Sequence, residues 1–211
     1  MRARLTAPFD LPDPAHTMVV VRDPPAIGAP LGSEDAANLV EGPLVPAAVL
    51  VAFLFGAAPG VLLTKRTAHL NKHAGQVSFP GGRIDPTDTG PEAAALREAE
   101  EEIRLRPDDV ELIGRLGDFV TGTGYRITPI LGLLPAGRNL EDLGLRASPD
   151  EVDEIFSLPM PVLLDPAAPE RRRSELRGRW REFWVWPHPD HYIWGATAAI
   201  LVDLAARLRQ R

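Results

Sequence analysis

The chain has 211 residues, 45% of them hydrophobic and 25% charged, which is typical of a globular protein long enough to bury a sizeable core. Its 23 lysines and arginines against 29 aspartates and glutamates give a formal net charge of -6, which argues against general nucleic-acid binding. The absence of cysteine excludes disulfides, thiolate nucleophiles and thiolate metal ligands. The first residues, MRARLTAPFDLPDPAH, lack a continuous apolar core, so we expect no signal peptide and a cytoplasmic location.

The N-terminal third is predicted to hold an irregular arm and the first strands of a domain. Residues 1–34 are rich in proline, glycine and alanine and are expected to form the arm, followed by a single domain over residues 35–211. A short helix is predicted at residues 34–40, with Ser33 as its N-cap. Residues 43–64 carry no charge and are long enough to span a membrane, but GAAPG interrupts them. Two strands joined by a turn are therefore predicted, at residues 47–54 and 61–64.

The middle of the chain is predicted to contain a turn, a helix and two strands. FPGG at residues 79–82 indicates a strand that breaks into a turn. The helix is predicted over residues 91–104, since Pro91 suits a first helical position, and Thr89 or Gly90 would lie at the cap. Strands are predicted at residues 110–119 and 127–134, with the loop TGTGYR between them.

The C-terminal part is predicted to end in a strand and an amphipathic helix. After a loop at residues 138–149, residues 150–155 lead into FSLPMPVLL, where two prolines are predicted to close an element. A strand is predicted at residues 181–187 and a helix at residues 194–211, and Trp184, Trp186 and Trp194 are expected in the core. The apolar positions of that helix follow helical spacing: Ala198, Leu201, Val202, Ala205 and Leu208. Without a regular βαβ rhythm, the order of elements favours an α+β or sandwich architecture.

Four glutamates lie within five positions of the predicted helix at residues 91–104. Its apolar side is expected to face the core: Leu96, Ala99 and Ile103. Three glutamates are expected on the opposite side, within an arc of about 100°: Glu98, Glu101 and Glu102. Glu100 falls elsewhere and is expected to be solvated. The three neighbouring carboxylates would bind Mg²⁺ or Mn²⁺, or they would form an ordinary solvated face.

Residues 81–105, GGRIDPTDTGPEAAALREAEEEIRL, resemble the Nudix box, G-x5-E-x7-R-E-U-x-E-E-x-G-U with U apolar. The positions that match are Gly82, Arg97, Glu98, Ala99, Glu101, Glu102 and Leu105. Asp88 replaces the first glutamate of the box, and eight residues rather than seven separate it from Arg97. Arg104 replaces the second glycine, which usually adopts a left-handed cap, so we expect a structural adjustment there without loss of the metal.

A second resemblance lies upstream and overlaps the first. Residues 62–88, LLTKRTAHLNKHAGQVSFPGGRIDPTD, resemble a motif of the Nudix subfamily that hydrolyses coenzyme A and its derivatives. That motif reads LLT-x-R-[ST]-x-x-L-x-x-H-x-G-x-V-x-FPGG-x-x-[DE]-x-x-D. IWGATAAIL at residues 193–201 also resembles the C-terminal helix of that subfamily, so the recognisable pieces extend over residues 47–201.

The resemblance implies a fold and a reaction. The implied fold is a mixed β-sheet between α-helices (an α/β/α sandwich) with the Nudix helix packed across the sheet. The implied reaction is hydrolysis of a pyrophosphate that requires Mg²⁺ or Mn²⁺ as cofactor. Coenzyme A would yield 4'-phosphopantetheine and adenosine 3',5'-bisphosphate, and the expected partner is this small-molecule substrate rather than nucleic acid or a membrane.

The resemblance also implies roles for the acidic residues. Glu98 and Glu102 would be the primary metal ligands, and Glu101 would supply a further ligand or polarise water. Arg97 would orient one of these acids. The general base would be Glu101 or Glu151, and a surface acid at a helix start is the alternative interpretation of Glu151.

Substrate contacts are predicted upstream of the helix. Arg66 would bind a substrate phosphate or pair with a helix acid. His73 would contact a phosphate or make a structural hydrogen bond. Gly81 and Gly82 would offer backbone contacts to metal or phosphate, or simply form a tight turn.

Two other functions remain possible from the sequence. The first is a Nudix hydrolase of another nucleoside diphosphate derivative, such as ADP-ribose or NADH. The second is a Nudix-fold binding module without turnover.

Overall fold

The computed structural model describes residues 42–68, 75–176 and 179–209. The predicted arm at residues 1–34, the predicted helix at residues 34–40, and His73 lie outside the described residues. The strands are β1 (Val45–Leu54), β2 (Gly60–Arg66), β3 (Val77–Ser78), β4 (Gly81–Arg83), β5 (Glu111–Arg115), β6 (Phe119–Val120), β7 (Tyr125–Leu133), β8 (Val152–Pro159), β9 (Glu170–Leu176), β10 (Arg179–Trp186) and β11 (Ile193–Trp194). The α-helices are α1 (Pro91–Ile103), α2 (Met160–Leu164) and α3 (Gly195–Arg209), and short 3₁₀ turns occur at Pro107–Asp109 and Leu140–Leu143.

The uncharged segment at residues 43–64 forms β1 and β2, as predicted. The two strands are antiparallel neighbours where the turn joins them, with Phe53 opposite Val61. Among the residues that the structure describes, no helix has the length and apolarity needed to cross a membrane. The charge-free segment is therefore explained by strands that lie at the centre of the sheet and are covered on both faces.

Pairings between distant segments build an eight-stranded mixed sheet. β1 runs parallel to β7, from Val45 opposite Tyr125 to Phe53 opposite Leu133. β2 runs antiparallel to β8, with Leu63 opposite Phe156. A second, three-stranded antiparallel sheet contains β9, β10 and β11. Such pairings depend on tertiary packing, so local sequence patterns do not specify them.

Helices cover both faces of the large sheet. The side chains of β1 and β2 alternate between two cores, as the period of a strand requires. Leu50 and Leu62 belong to the core under α1, whereas Val51 and Leu63 belong to the core under α3. The predicted α+β fold, with a mixed sheet between α-helices, is confirmed.

Two predicted elements differ from the observed ones by more than two residues in their limits. The strand predicted at residues 110–119 is divided into β5 and β6, and the register of β5 on β7 shifts between Leu112 and Gly114. The prediction that FSLPMPVLL closes an element is wrong for residues 156–159, which extend β8. Met160 begins α2 directly after Pro159, and Pro161 lies in the first turn, where its missing N–H costs no helical hydrogen bond.

The helix predicted at residues 91–104 is α1, with Gly90 as its N-cap and Pro91 in its first turn. Its last residue is Ile103, because Arg104 adopts the left-handed conformation at φ 58°. The backbone N–H of Leu105 then donates to Ala99 O at 3.3 Å. The arginine in the position of the box glycine therefore takes the backbone conformation that glycine usually supplies.

Candidate active site

The buried face of α1 includes an acid. Glu102 is only 2% exposed and lies in the buried stripe with Ala95, Ala99 and Ile103. The prediction that Glu102 lies opposite the core is therefore wrong, and Leu96 is only partly buried. Since Glu102 follows Ala99 by three residues, the two are only about 60° apart around the helix.

Glu102 is held by two contacts from the segment upstream of α1. The backbone N–H of Gly81 donates to Glu102 Oε2 at 3.2 Å, and Arg66 Nη1 donates to Glu102 Oε1 at 3.4 Å. Burial raises the pKa of Glu102 to about 7; the two donors oppose this rise, and the charges of Glu98 and Glu151 add to it. The site thus holds a carboxylate whose negative charge is only partly compensated.

Glu98 lies one helical turn before Glu102 and is also largely buried, with 17% of its side chain exposed. Burial raises its pKa, Arg97 opposes the rise, and Glu101 and Glu151 add to it. The two largely buried carboxylates therefore lie next to each other and repel when both are ionised.

Gly81 and Gly82 bring the backbone of β4 close to these acids. A Cβ atom on Gly82 would stand 2.5 Å from Glu98 Cδ, so only glycine leaves room for that carboxylate. Gly81 has φ 153°, and a Cβ atom there would stand 2.6 Å from Val49 Cα on β1. The two glycines therefore lie in β4, where the N–H of Gly81 contacts Glu102, and their contact with metal or phosphate stays a prediction.

Arg97 connects the acids with the loop before α1. Its Nε and Nη2 donate to the two carboxylate oxygens of Asp88, each at 3.0 Å. Nη1 donates to Glu98 at 3.1 Å and to Glu101 at 3.2 Å. These hydrogen bonds raise the pKa of Arg97 above its ordinary value and lower that of Asp88. Arg97 therefore joins Glu98 and Glu101 to Asp88, whose role the altered spacing left open and which accepts a bidentate pair of hydrogen bonds from the arginine.

The remaining acids differ in position. Glu101 is 56% exposed and is turned towards Arg97, so it lies at the rim. Glu151 lies in the turn before β8 rather than at a helix start, and it acts electrostatically on both Glu98 and Glu102.

Backbone hydrogen bonds hold the turn of Glu151 against the site. Ser148 N–H donates to Glu102 O at 2.8 Å, and Thr67 N–H donates to Glu151 O at 3.0 Å. The turn is thus bound on one side to the end of α1 and on the other to the residue after β2. Sequence patterns gave no signal for these contacts, because they join backbone groups of distant segments.

The carboxylates suit a divalent cation in their chemistry, although they are not arranged as a finished site. Within the described ranges, no three acidic or histidine side chains stand close enough together to hold an ion. Glu98 and Glu102 nevertheless provide two neighbouring carboxylates that are largely removed from water, and burial raises the pKa of both. Oxygen-rich, negatively charged sites of this kind are preferred by Mg²⁺ and Mn²⁺.

Two features of the structure lie away from this site. A groove of about 750 Å³ runs between α2 and β9, and residues such as Val162, Glu170, Arg172 and His188 line it rather than the acids. The prediction that the tryptophans are in the core holds for Trp186, which is 1% exposed, but is wrong for Trp194, which is 38% exposed. Trp194 is exposed because its neighbour in β11, Ile193, points into the core and successive strand residues alternate.

Comparison with known proteins agrees with the fold and the motif. The model of the NUDIX domain matches residues 44–177. The chain is 43% identical over 162 residues to the "Uncharacterized Nudix hydrolase NudL" of Escherichia coli strain K12 and to that of Shigella boydii serotype 4, covering 77% of this chain and 82% of each relative. The MutT protein from Methanosarcina mazei Go1 has a similar fold, with a TM-score of 0.52 at 15% identity over 82% of this chain and 99% of that one. Since the domain match alone covers more than half of the sequence, the chain belongs to the Nudix hydrolase family.

Proposed function

We propose that the protein is a coenzyme A pyrophosphatase, which hydrolyses the diphosphate of coenzyme A or of its derivatives with Mg²⁺ or Mn²⁺. One observation carries the proposal: the coenzyme A motif and the Nudix box meet at the carboxylate of Glu102. Arg66 and Gly81 of the upstream motif donate hydrogen bonds to Glu102 of the box. The residues that resemble the coenzyme A subfamily are thus part of the candidate active site.

In the proposed reaction, water attacks one phosphorus of the diphosphate and the bridging P–O bond breaks. Glu98 and Glu102 would hold the divalent cation, with Glu101 as a further ligand. The cation, when bound, supplies Lewis acidity and charge neutralisation for the diphosphate. Arg97 keeps Glu98 oriented through its hydrogen bond, and its own position is fixed by Asp88.

The attacking water must lose a proton to a base. Glu151 is the candidate that we favour, because it acts on both inner carboxylates, while Glu101 is paired with Arg97. The products of coenzyme A would be 4'-phosphopantetheine and adenosine 3',5'-bisphosphate.

The proposal is tested with coenzyme A, Mg²⁺ or Mn²⁺, and chromatography of the products. We expect release of adenosine 3',5'-bisphosphate, and its absence with every divalent metal would refute the proposal. Glu98→Gln should reduce the rate by about 10²-fold or more, because it removes a charged ligand. Glu100→Gln is the matched control, since Glu100 is an exposed residue of the same helix.

A substrate panel separates this activity from the two alternatives. Ranking coenzyme A, ADP-ribose and NADH by kcat/KM would identify a different diphosphate substrate if coenzyme A is not the best. A binding module without turnover would show ligand binding by calorimetry and no hydrolysis of any substrate in the panel. Four charged positions of the box, Arg97, Glu98, Glu101 and Glu102, are all present, which argues against that alternative.

A further inference from the structure

Arg66 stands at the point where the upstream segment meets the acidic helix. It is the last residue of β2, and its guanidinium is 24% exposed. Its backbone N–H donates to Gln76 O at 2.9 Å, and its carbonyl accepts from Gly75 N–H at 3.2 Å. The backbone of Arg66 is therefore fixed, whereas the end of its side chain has access to solvent.

Among the described residues, the guanidinium of Arg66 is the cation that contacts Glu102. It donates a hydrogen bond to Oε1 of Glu102, whereas the neutral N–H of Gly81 donates to Oε2. The preceding residue, Lys65, carries the same charge but pairs with Asp153 at 3.2 Å. Arg66 thus supplies the charge compensation that a 2%-exposed carboxylate requires in the absence of a metal ion.

A divalent cation that binds Oε1 of Glu102 would lie beside the guanidinium of Arg66, whose Nη1 is 3.4 Å from that oxygen. The two positive charges repel each other at this distance, so the arginine and the ion compete for Glu102. We infer that Arg66 is the internal counter-ion of Glu102, that it gives up this carboxylate when a divalent cation binds, and that its freed guanidinium then holds the diphosphate of the substrate. The second step rests on the proposed function, whereas the first concerns the metal alone.

The chemistry of arginine suits this exchange. The planar guanidinium forms paired hydrogen bonds with carboxylate and with phosphate equally well, so it moves from one oxyanion to another without changing protonation. The exchange would also prevent Arg66 from binding a diphosphate before the cation is in place.

The first test is a calorimetric titration of the metal-free full chain with Mn²⁺ alone. Arg66→Met should bind Mn²⁺ about tenfold more tightly than the wild type, because the competing cation is gone. Lys65→Met is the matched control, since it removes the same charge one residue away, and its affinity should stay within about twofold of the wild type. Equal or weaker binding by Arg66→Met relative to Lys65→Met would overturn the inference.

A second measurement uses the wild-type protein and does not depend on the folding of a variant. In ¹⁵N-arginine-labelled protein, the Nε–H resonance of Arg66 should shift during titration with diamagnetic Mg²⁺. The resonance is assigned by its loss in Arg66→Lys. A guanidinium signal of Arg66 that stays unchanged at Mg²⁺ saturation would contradict the displacement.

The substrate step is tested separately by kinetics. With coenzyme A, Arg66→Met should raise KM about tenfold or more and lower kcat less, because one phosphate contact is lost. An unchanged KM would overturn the role of Arg66 in substrate binding. If the wild type does not hydrolyse coenzyme A at all, the proposed function fails, and the Mn²⁺ and Mg²⁺ titrations still decide whether the cation displaces Arg66.

Discussion

At the scale of one residue, the buried carboxyl group of Glu102 makes the stability of the metal-free protein depend on pH. Its ordinary pKa is 4.5, and burial raises it to about 7 in the folded protein. Between these values the native state binds more protons than the unfolded chain, so the free energy of unfolding falls as the pH rises. Above about pH 7 this loss is complete, and the metal-free protein carries a buried negative charge at a cost in stability.

Glu102→Gln should therefore stabilise the metal-free protein while it abolishes hydrolysis. In EDTA at pH 8 we expect the free energy of unfolding to rise by about 1–3 kcal/mol, measured by chemical denaturation. The gain should vanish well below pH 4.5, where Glu102 is protonated in both the folded and the unfolded state. Glu100→Gln, an exposed change of the same charge, is the control. A variant that is no more stable than the wild type at pH 8 would contradict the assignment.

Gly82 offers a second test at the residue scale. A Cβ atom there would collide with the carboxylate of Glu98, while the extended backbone of β4 accepts alanine. Gly82→Ala should lower kcat about tenfold or more by displacing Glu98, with a change in Tm of only about 3 °C or less. Gly90→Ala is the matched control, because its added Cβ atom would meet Glu92 only at 3.4 Å. Equal activity of the two variants would show that the close approach of Gly82 does not matter for catalysis.

At the scale of the element, the limits of α1 were predictable from the sequence, but the full set of residues on its buried face was not. Pro91 and the apolar spacing identified the helix, and Arg104 in place of glycine marked its end. The periodicity of apolar residues, however, places only apolar residues on the buried face. Glu102 joins that face because Gly81 and Arg66, which lie on other segments, satisfy its carboxylate.

The end of α1 provides a prediction about stability. Arg104→Gly should raise the free energy of unfolding by about 0.5–1 kcal/mol, because the left-handed conformation strains an arginine more than a glycine. The measurement is denaturant unfolding, and the activity should not change. Arg106→Gly is the control: φ is -68° there, so glycine brings only greater freedom of the unfolded chain and should destabilise. Destabilisation of equal size in both variants would contradict the role of the left-handed cap.

At the scale of the whole molecule, the site depends on strand pairings that no local pattern specifies. The pairing of β8 with β2 sets Arg66 opposite Val152, which brings the turn of Glu151 to the end of β2. Resemblance to a family identified Glu151 as a candidate, and the register of β8 brings its turn near enough for its charge to raise the pKa of Glu98 and Glu102. The exposure of Trp194 has a similar origin, since β11 pairs with β10 and directs Ile193 inwards.

The position of the turn at Glu151 leads to the prediction that distinguishes the two candidate bases. Glu151→Gln should lower kcat by about 10²–10⁴-fold, as expected for loss of a general base. The turn should persist, because its hydrogen bonds to Thr67 and Ser148 use the backbone. Asp150→Asn is the matched control in the same turn, since its contact with Thr67 also uses the backbone carbonyl.

Glu101→Gln completes the comparison. If Glu151 is the base, Glu101→Gln should lower kcat less than Glu151→Gln does, because it loses only a further metal ligand and the exposed pairing with Arg97. A larger loss of kcat in Glu101→Gln than in Glu151→Gln would assign the base to Glu101. The turn before β8 would then shape the site through its backbone contacts with the end of α1, and its carboxylate would not take part in proton transfer.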